Sequence, residues 1–161
     1  MSRRSGRWRF MVNETGNDVR GLMVESQERP PASARLRVAV VDDDPAVCNS
    51  LKFALELEGF VVRTYNGADE LFDDRHFDAC DCFVIDQRMP GMTGLELIAK
   101  LRDLKSEIPV ILLISHPNPA VMTLAANTEV PIVEKPLLGN ALVDKIRSVC
   151  EAVDLSLRKV T

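Results

Sequence analysis

The sequence predicts an α/β protein built on a doubly wound, five-stranded parallel sheet with strand order 2-1-3-4-5. Two observations carry that expectation. From Leu36 onward, short β-rich runs alternate with segments of helical periodicity, a spacing that implies parallel strands with helices on both faces. The run Cys82-Phe83-Val84-Ile85 is apolar at consecutive positions, as a strand covered on both sides must be. Right-handed crossovers then leave few topologies open.

Arg37 to Val41 is the first strand, ended by Asp42-Asp43-Asp44-Pro45. Pro45 suits the first turn of a helix and Asp44 its N-cap. That helix is expected to run to about Glu58, with Val47, Leu51, Ala54 and Leu55 on one face and Gly59 closing it. Phe60 to Tyr65 is the second strand, and Ala68 to about Arg75 a short second helix. The third strand ends at Asp86. Pro90 and Gly91 stop it, and Thr93 caps a helix from Gly94 to Leu104 that buries Leu97, Ile98 and Leu101. Pro109 opens the fourth strand, Val110 to Ile114. A turn, Ser115-His116-Pro117-Asn118-Pro119, precedes a fourth helix from about Ala120 to Asn127, where Thr123 and Asn127 add little propensity. Pro131 to Glu134 is the fifth strand, and Lys135-Pro136 ends it. The fifth helix runs from about Asn140 past Cys150.

At 161 residues, with 46% apolar and 27% charged side chains, the chain suits one soluble domain with a proper core plus a tail. No apolar run approaches the length of a membrane span, so a cytoplasmic protein without a membrane partner is expected. The net charge of -4 is unevenly spread. Residues 1–35 carry seven Arg against four acids, and residues 36–161 carry thirteen bases against twenty acids, a net of -7. An acidic domain lacks the clustered Lys and Arg that neutralise phosphates, so no nucleic-acid partner is expected. Four cysteines, Cys48, Cys80, Cys82 and Cys150, form no pair of metal-binding knuckles and read as free thiols in a reducing compartment.

These features divide the chain into a mostly disordered leader at 1–35, a domain at 36–153, and a stretch at 154–161 that prolongs the last helix or frays. The opening Arg3, Arg4, Arg7 and Arg9 with Trp8 and Phe10 read as a solvated tail, or as a short membrane-surface or partner-binding arm. They lack the apolar core of a secretory signal.

Three strands end in chemistry: Asp42 and Asp43 after the first, Asp86 after the third, Lys135 after the fifth. The predicted sheet brings them to one crevice at the carboxyl ends of its strands. Crowded carboxylates raise each other's pKa unless something positive lies among them. A hard divalent cation such as Mg²⁺, which prefers oxygen ligands, resolves the repulsion. Asp86 is then placed as a nucleophile toward a phosphoryl group, with the metal and Lys135 neutralising charge on the transferring oxygens.

Val40-Val41-Asp42-Asp43-Asp44-Pro45, Val84-Ile85-Asp86-Gln87-Arg88-Met89-Pro90-Gly91-Met92-Thr93-Gly94 and Val133-Glu134-Lys135-Pro136 together resemble the three signatures of bacterial response-regulator receiver domains, which have a flavodoxin-like fold. The resemblance covers Leu36 to about Val153. It implies that Asp86 is the phospho-acceptor, fed by a sensor histidine kinase or a histidine phosphotransfer protein. Asp42, Asp43 and Asp86 match the Mg²⁺ ligands, with the backbone carbonyl of Arg88 as a further protein ligand. Lys135 matches the phosphate-sensing lysine. Such a domain is not a true enzyme; at most it catalyses its own phosphorylation and dephosphorylation weakly.

The switch positions depart from that pattern. Receivers usually carry Thr or Ser at the end of the fourth strand, where ungapped counting gives Ile114; Ser115 falls one place later, within reach only if the strand end slips. The aromatic usual three residues before the lysine is Ile132. Arg88 and His116, two places after Asp86 and Ile114, are expected to flank the phosphoryl group and screen it from water. A stand-alone receiver follows as the leading expectation, signalling by partner binding, including homodimerisation through the face of helix four, strand five and helix five, or by phosphate transfer. The aliphatic switch positions suggest a second reading, a phosphorylation-independent interaction or dimerisation module. A third rests on Asp42-x-Asp44, which resembles the nucleophile motif of haloacid-dehalogenase phosphatases, although Ala46 stands where Thr or Val is usual.

Overall fold

The computed structural model describes residues 35–137 and 139–159. The predicted leader therefore lies outside the described residues, save for Arg35. Among the described residues ten elements alternate: β1 (Arg37–Val41), α1 (Pro45–Leu57), β2 (Val61–Tyr65), α2 (Ala68–Asp73), β3 (Cys82–Asp86), α3 (Gly94–Asp103), β4 (Val110–Ile114), α4 (Pro119–Asn127), β5 (Ile132–Glu134) and α5 (Ala141–Lys159). The strands form one parallel sheet of order β2-β1-β3-β4-β5, as the alternation predicts.

Alternate side chains of each strand feed two cores, because successive strand residues point to opposite faces. Val38, Val40, Val84, Ile111 and Leu113 pack with Cys48, Leu51 and Leu55 of α1 and Leu142 and Ile146 of α5. Ala39, Val41, Phe83, Ile85, Leu112 and Ile114 pack on the other face with Leu71 of α2, Leu97, Ile98 and Leu101 of α3, and Ala125 of α4. β3 and β4 are buried at every position, which explains their unbroken apolar runs.

Local chemistry sets the element ends. Asp44 accepts from the Ala46 N–H at 2.9 Å and Pro45 opens α1. Thr93 and Glu96 form a reciprocal capping box on α3. Asn118 caps α4 through the Ala120 N–H at 2.8 Å, so that helix starts at Pro119 rather than Ala120. The buried face of α1 runs through Cys48, Leu51 and Leu55; Val47 is half-buried and Ala54 exposed, because the sheet-facing stripe is centred on Cys48. The Phe60 N–H donates to the Leu55 carbonyl at the end of α1, which leaves Phe60 outside the β2 ladder. α2 stops at Asp73, short of the predicted Arg75. There the Asp74 carboxylate turns out to accept from the Tyr65 hydroxyl at 2.7 Å and Arg63 at 3.1 Å. Pro131 has no N–H to give the ladder, and β5 begins one residue later. All four cysteines are free thiols. Burial pushes the Cys80 thiol up to about 12, as expected of an inert side chain. Residues 154–159 continue α5. Among the described residues no helix is long and apolar enough to cross a membrane.

Candidate functional site

Parallel register brings the acids together. β1 and β3 pair Val41 with Ile85, so Asp42 leaves the end of β1 beside Asp86, the last residue of β3. Both side chains are almost completely enclosed, Asp42 2% and Asp86 4% exposed, and they are the two buried charged residues among those described. Asp43 projects into solvent at the rim. One carboxylate oxygen from each of Asp42, Asp43 and Asp86 falls within 4.8 Å of the others, the sole such convergence of potential ligands among the described residues.

Lys135 arrives from the end of β5, the edge strand on the far side of β4. Its N–H donates to the Ile114 carbonyl at 2.8 Å, and the Lys135–Pro136 peptide is cis. Its Nζ donates to Asp42 Oδ2 at 2.8 Å and lies 2.9 Å from Asp86 Oδ1. The other oxygen of each acid is held by backbone: Asp42 Oδ1 accepts from the Asp44 N–H at 3.0 Å, and Asp86 Oδ2 from the Arg88 N–H at 3.0 Å. Burial thus comes with hydrogen bonds, as it must for a charged group.

The balance remains negative, three carboxylates against one ammonium. Burial lifts the Asp86 carboxyl above the ordinary carboxylate range, and the charge of Asp42 adds to this; hydrogen bonding and attraction to Lys135 oppose it without cancelling it. Burial pulls the other way on Lys135, but its bonds to Asp42 and Asp86 outweigh that and hold its ammonium above the ordinary lysine value. A net charge of -2 on clustered hard oxygens fits a divalent cation such as Mg²⁺.

Two further residues, Gln87 after β3 and Gly94 at the start of α3, hold the backbone behind Asp86. Gln87 Oε1 accepts from the Leu95 N–H at 3.0 Å while its carbonyl accepts from the Gly94 N–H at 3.0 Å, tying the β3 end to the first turn of α3. Gly94 does more than start a helix. A Cβ there would lie 2.6 Å from the Asp86 carbonyl oxygen and 2.7 Å from Leu112 Cδ1, so the backbone behind Asp86 leaves no room for one. Gly94→Ala is expected to cost about 1–3 kcal/mol in urea unfolding, since strand and helix must separate to admit the methyl group. Neither residue carries a sequence signal of its own, because each acts through contacts made in the fold: Gln87 with Leu95 across the turn, Gly94 with the Asp86 backbone and with Leu112 of β4.

The remaining predicted residues sit at the edge of this cleft. Arg88 and His116 are exposed and meet each other, Arg88 Nη1 lying 3.4 Å from His116 Nδ1. With arginine as donor, Nδ1 is the acceptor and the neutral ring keeps its proton on Nε2. Ile114 is 2% exposed and packs in the core beneath α3 and α4. The β4–β5 ladder is regular, with Leu113 opposite Val133 and Ile114 opposite Glu134, so the strand end does not slip. Ser115 is half-buried just beyond it, and Ile132 is half-buried against the same core as Ile114. Asp44 is exposed and caps α1 instead of turning into the cleft, which separates the two acids of Asp42-x-Asp44.

Comparison with known proteins follows the same pattern. A family model described as the response regulator receiver domain matches residues 38–147. The chain is similar to the C4-dicarboxylate transport transcriptional regulatory protein DctD of Pseudomonas aeruginosa, 33% identical over 132 residues that make up 81% of this chain and 29% of that protein. It is also similar to the transcriptional regulatory protein FixJ of Bradyrhizobium diazoefficiens, 31% identical over 112 residues, 69% of this chain and 55% of the other. The chain therefore matches less than two thirds of the length of either relative. Among solved structures, FixJ-N superposes with a TM-score of 0.62 at 31% identity, covering 72% of this chain and 94% of that one. A response regulator receiver domain protein from Clostridium thermocellum gives 0.68 at 22% identity, covering 74% and 98%, a likeness of fold.

Proposed function

The chain belongs to the response regulator receiver family, and from that premise we propose that it accepts a phosphoryl group on Asp86 within a two-component phosphorelay. The observation that carries the reading is the enclosed Asp86 carboxylate, held by Lys135 Nζ on one oxygen and by the Arg88 N–H on the other, beside two further carboxylates. An Asp86 oxygen attacks phosphorus as the bond from phosphorus to the donor's leaving atom breaks, and the product is an aspartyl phosphate. Lys135 already contacts the attacking carboxylate and holds a positive charge where phosphoryl oxygens arrive. Asp42, Asp43, Asp86 and the backbone carbonyl of Arg88 would hold Mg²⁺, which supplies charge neutralisation for the transferring oxygens. The donor is a sensor histidine kinase, a phosphotransfer protein or a small acyl phosphate, and the protein works in the cytoplasm. Turnover beyond self-catalysed loss of the phosphoryl group is not expected.

Acetyl phosphate with Mg²⁺ tests this directly. Intact mass is expected to rise by one phosphoryl group, mapped to the peptide that contains Asp86; phosphate on another residue, or none, removes the reading.

Arg88 and His116 form a polar lid at the cleft edge. Arg88→Ala and His116→Ala are each expected to speed loss of the phosphoryl group severalfold, measured as decay of the phosphorylated mass. Equal rates in variants and wild type would mean that the pair screens nothing.

A second reading is favoured by Ile114 and Ile132, whose aliphatic side chains offer no hydroxyl to a phosphoryl oxygen and no aromatic ring to follow it. In that case the domain binds its partner, or a second copy through α4, β5 and α5 where Leu124 is exposed, whether or not Asp86 is modified. Beryllofluoride with Mg²⁺ separates the two. Amide shifts in α4 and β5 on saturation support switching, and a spectrum altered only around Asp86 supports the constitutive module.

A further inference from the structure

At the end of the sheet opposite Asp86, the entry ends of the strands and the outer part of α5 enclose a groove of about 580 Å³. Its floor is apolar, formed by Leu36 just before β1, Ile108 just before β4, and Cys150 and Val153 of α5. Its rim carries four acids, Asp81, Glu107, Glu151 and Asp154. Arg37 holds Asp81 at 3.3 Å and Arg158 holds Asp154 at 2.9 Å, whereas neither Glu107 nor Glu151 forms an ion pair with any described residue. An apolar floor with an acidic rim suits a basic segment bearing large apolar side chains.

We propose that residues 3–12 of the same chain dock in this groove. The segment holds Arg3, Arg4, Arg7 and Arg9, no acid, and the apolar side chains Trp8, Phe10, Met11 and Val12. Trp and Arg are the side chains that most often anchor an interface. The chain preceding the domain joins it at Leu36, itself part of the groove floor. At full extension the 23 residues between Val12 and Leu36 can reach roughly 75 Å, so chain length does not keep residues 3–12 from the groove. Tethering in one chain sets an effective concentration on the order of millimolar, so weak rim contacts suffice. Charge selects this segment over the nearer Leu22-Met23-Val24, around which Arg20 and Arg29 are offset by Glu25 and Glu28.

Trp8 is the only tryptophan, so the full-length chain reports on its own docking. Its emission is expected to be blue-shifted and protected from acrylamide at low salt, at every protein concentration. Glu107→Lys combined with Glu151→Lys replaces two exposed side chains. It is expected to shift the docked-to-free ratio toward free by about tenfold, exposing Trp8 while the helical circular dichroism signal is retained. High salt should act in the same direction. Four outcomes overturn the proposal: Trp8 quenched like free indole in the wild type; protection unaltered by the double charge reversal; protection that grows with protein concentration, which assigns the groove to a second copy; or a blue shift that appears only with phosphatidylglycerol vesicles, which assigns the arm to a lipid surface.

Discussion

Asp86→Asn is expected to abolish phosphoryl acceptance and, in the same molecule, to raise the stability of the fold at neutral pH. The two effects share one cause. Asp86 is 4% exposed and lies against Asp42, so its charge is retained at a cost that only Lys135 and the Arg88 N–H offset. The amide keeps an oxygen for the Arg88 N–H and leaves Lys135 paired with Asp42, while it removes the desolvated charge and its repulsion. The sign of the pH dependence follows from the raised Asp86 carboxyl. The folded protein binds that proton more tightly than the unfolded chain, so the wild type loses stability as pH rises from the ordinary aspartate value, ~3.9, through the folded-state value. Asp86→Asn lacks this loss. Urea unfolding curves of the two proteins should converge in acid and separate toward neutrality, with the variant above. A variant less stable than wild type at neutral pH would show that Asp86 is satisfied rather than strained. A more stable variant would fit the proposed phospho-acceptor, whose enclosure beside Asp42 lowers the stability of the fold.

That cost was readable in advance only in outline. Asp42, Asp43, Asp86 and Lys135 each follow a strand, and strand ends are where hydrophobic periodicity breaks, so period and turn chemistry located them together with the sheet order. Periodicity carries no information about how two strand-end side chains divide their oxygens. The sharing of Lys135 between Asp42 and Asp86, and the backbone N–H on each remaining oxygen, emerged from the structure alone. The same limit hid Gly94, whose constraint is the backbone of Asp86 pressed against α3 rather than an unusual turn. Arg88 and His116 were expected to flank one point, and their mutual contact adds a partner that sequence spacing cannot specify across 28 residues. The α1 face was misplaced by a residue type: Cys48, not Ala54, completes it, because a free thiol serves as a small apolar side chain inside a core.

Lys135→Met is expected to produce the largest loss of stability of any substitution at the cleft, about 3–5 kcal/mol at neutral pH. Among the described residues the ammonium is the one cation paired with the two enclosed carboxylates, at 2.8 and 2.9 Å, and methionine fills its volume without its charge. Lys135 has a raised pKa in the fold, so its stabilisation is complete below the ordinary lysine value, ~10.4, and is lost only as pH climbs through the folded value. Across the neutral range the wild type should therefore show no dependence on this group. The variant should regain stability as the pH falls and Asp86, whose carboxyl is already raised by burial and by the charge of Asp42, takes up its proton. Asp86→Asn added to Lys135→Met should restore a large share of the loss, because the repulsion it relieves exists only when both acids are charged; a purely additive double variant would locate the damage in packing instead. Mg²⁺ supplies the sharpest discrimination. Removing Lys135 takes the cluster from a net charge of -2 to -3. Saturating Mg²⁺ should thus raise the melting temperature of Lys135→Met by more than that of the wild type. A shift no larger than the wild-type one would mean that cation and ammonium do not neutralise the same carboxylates.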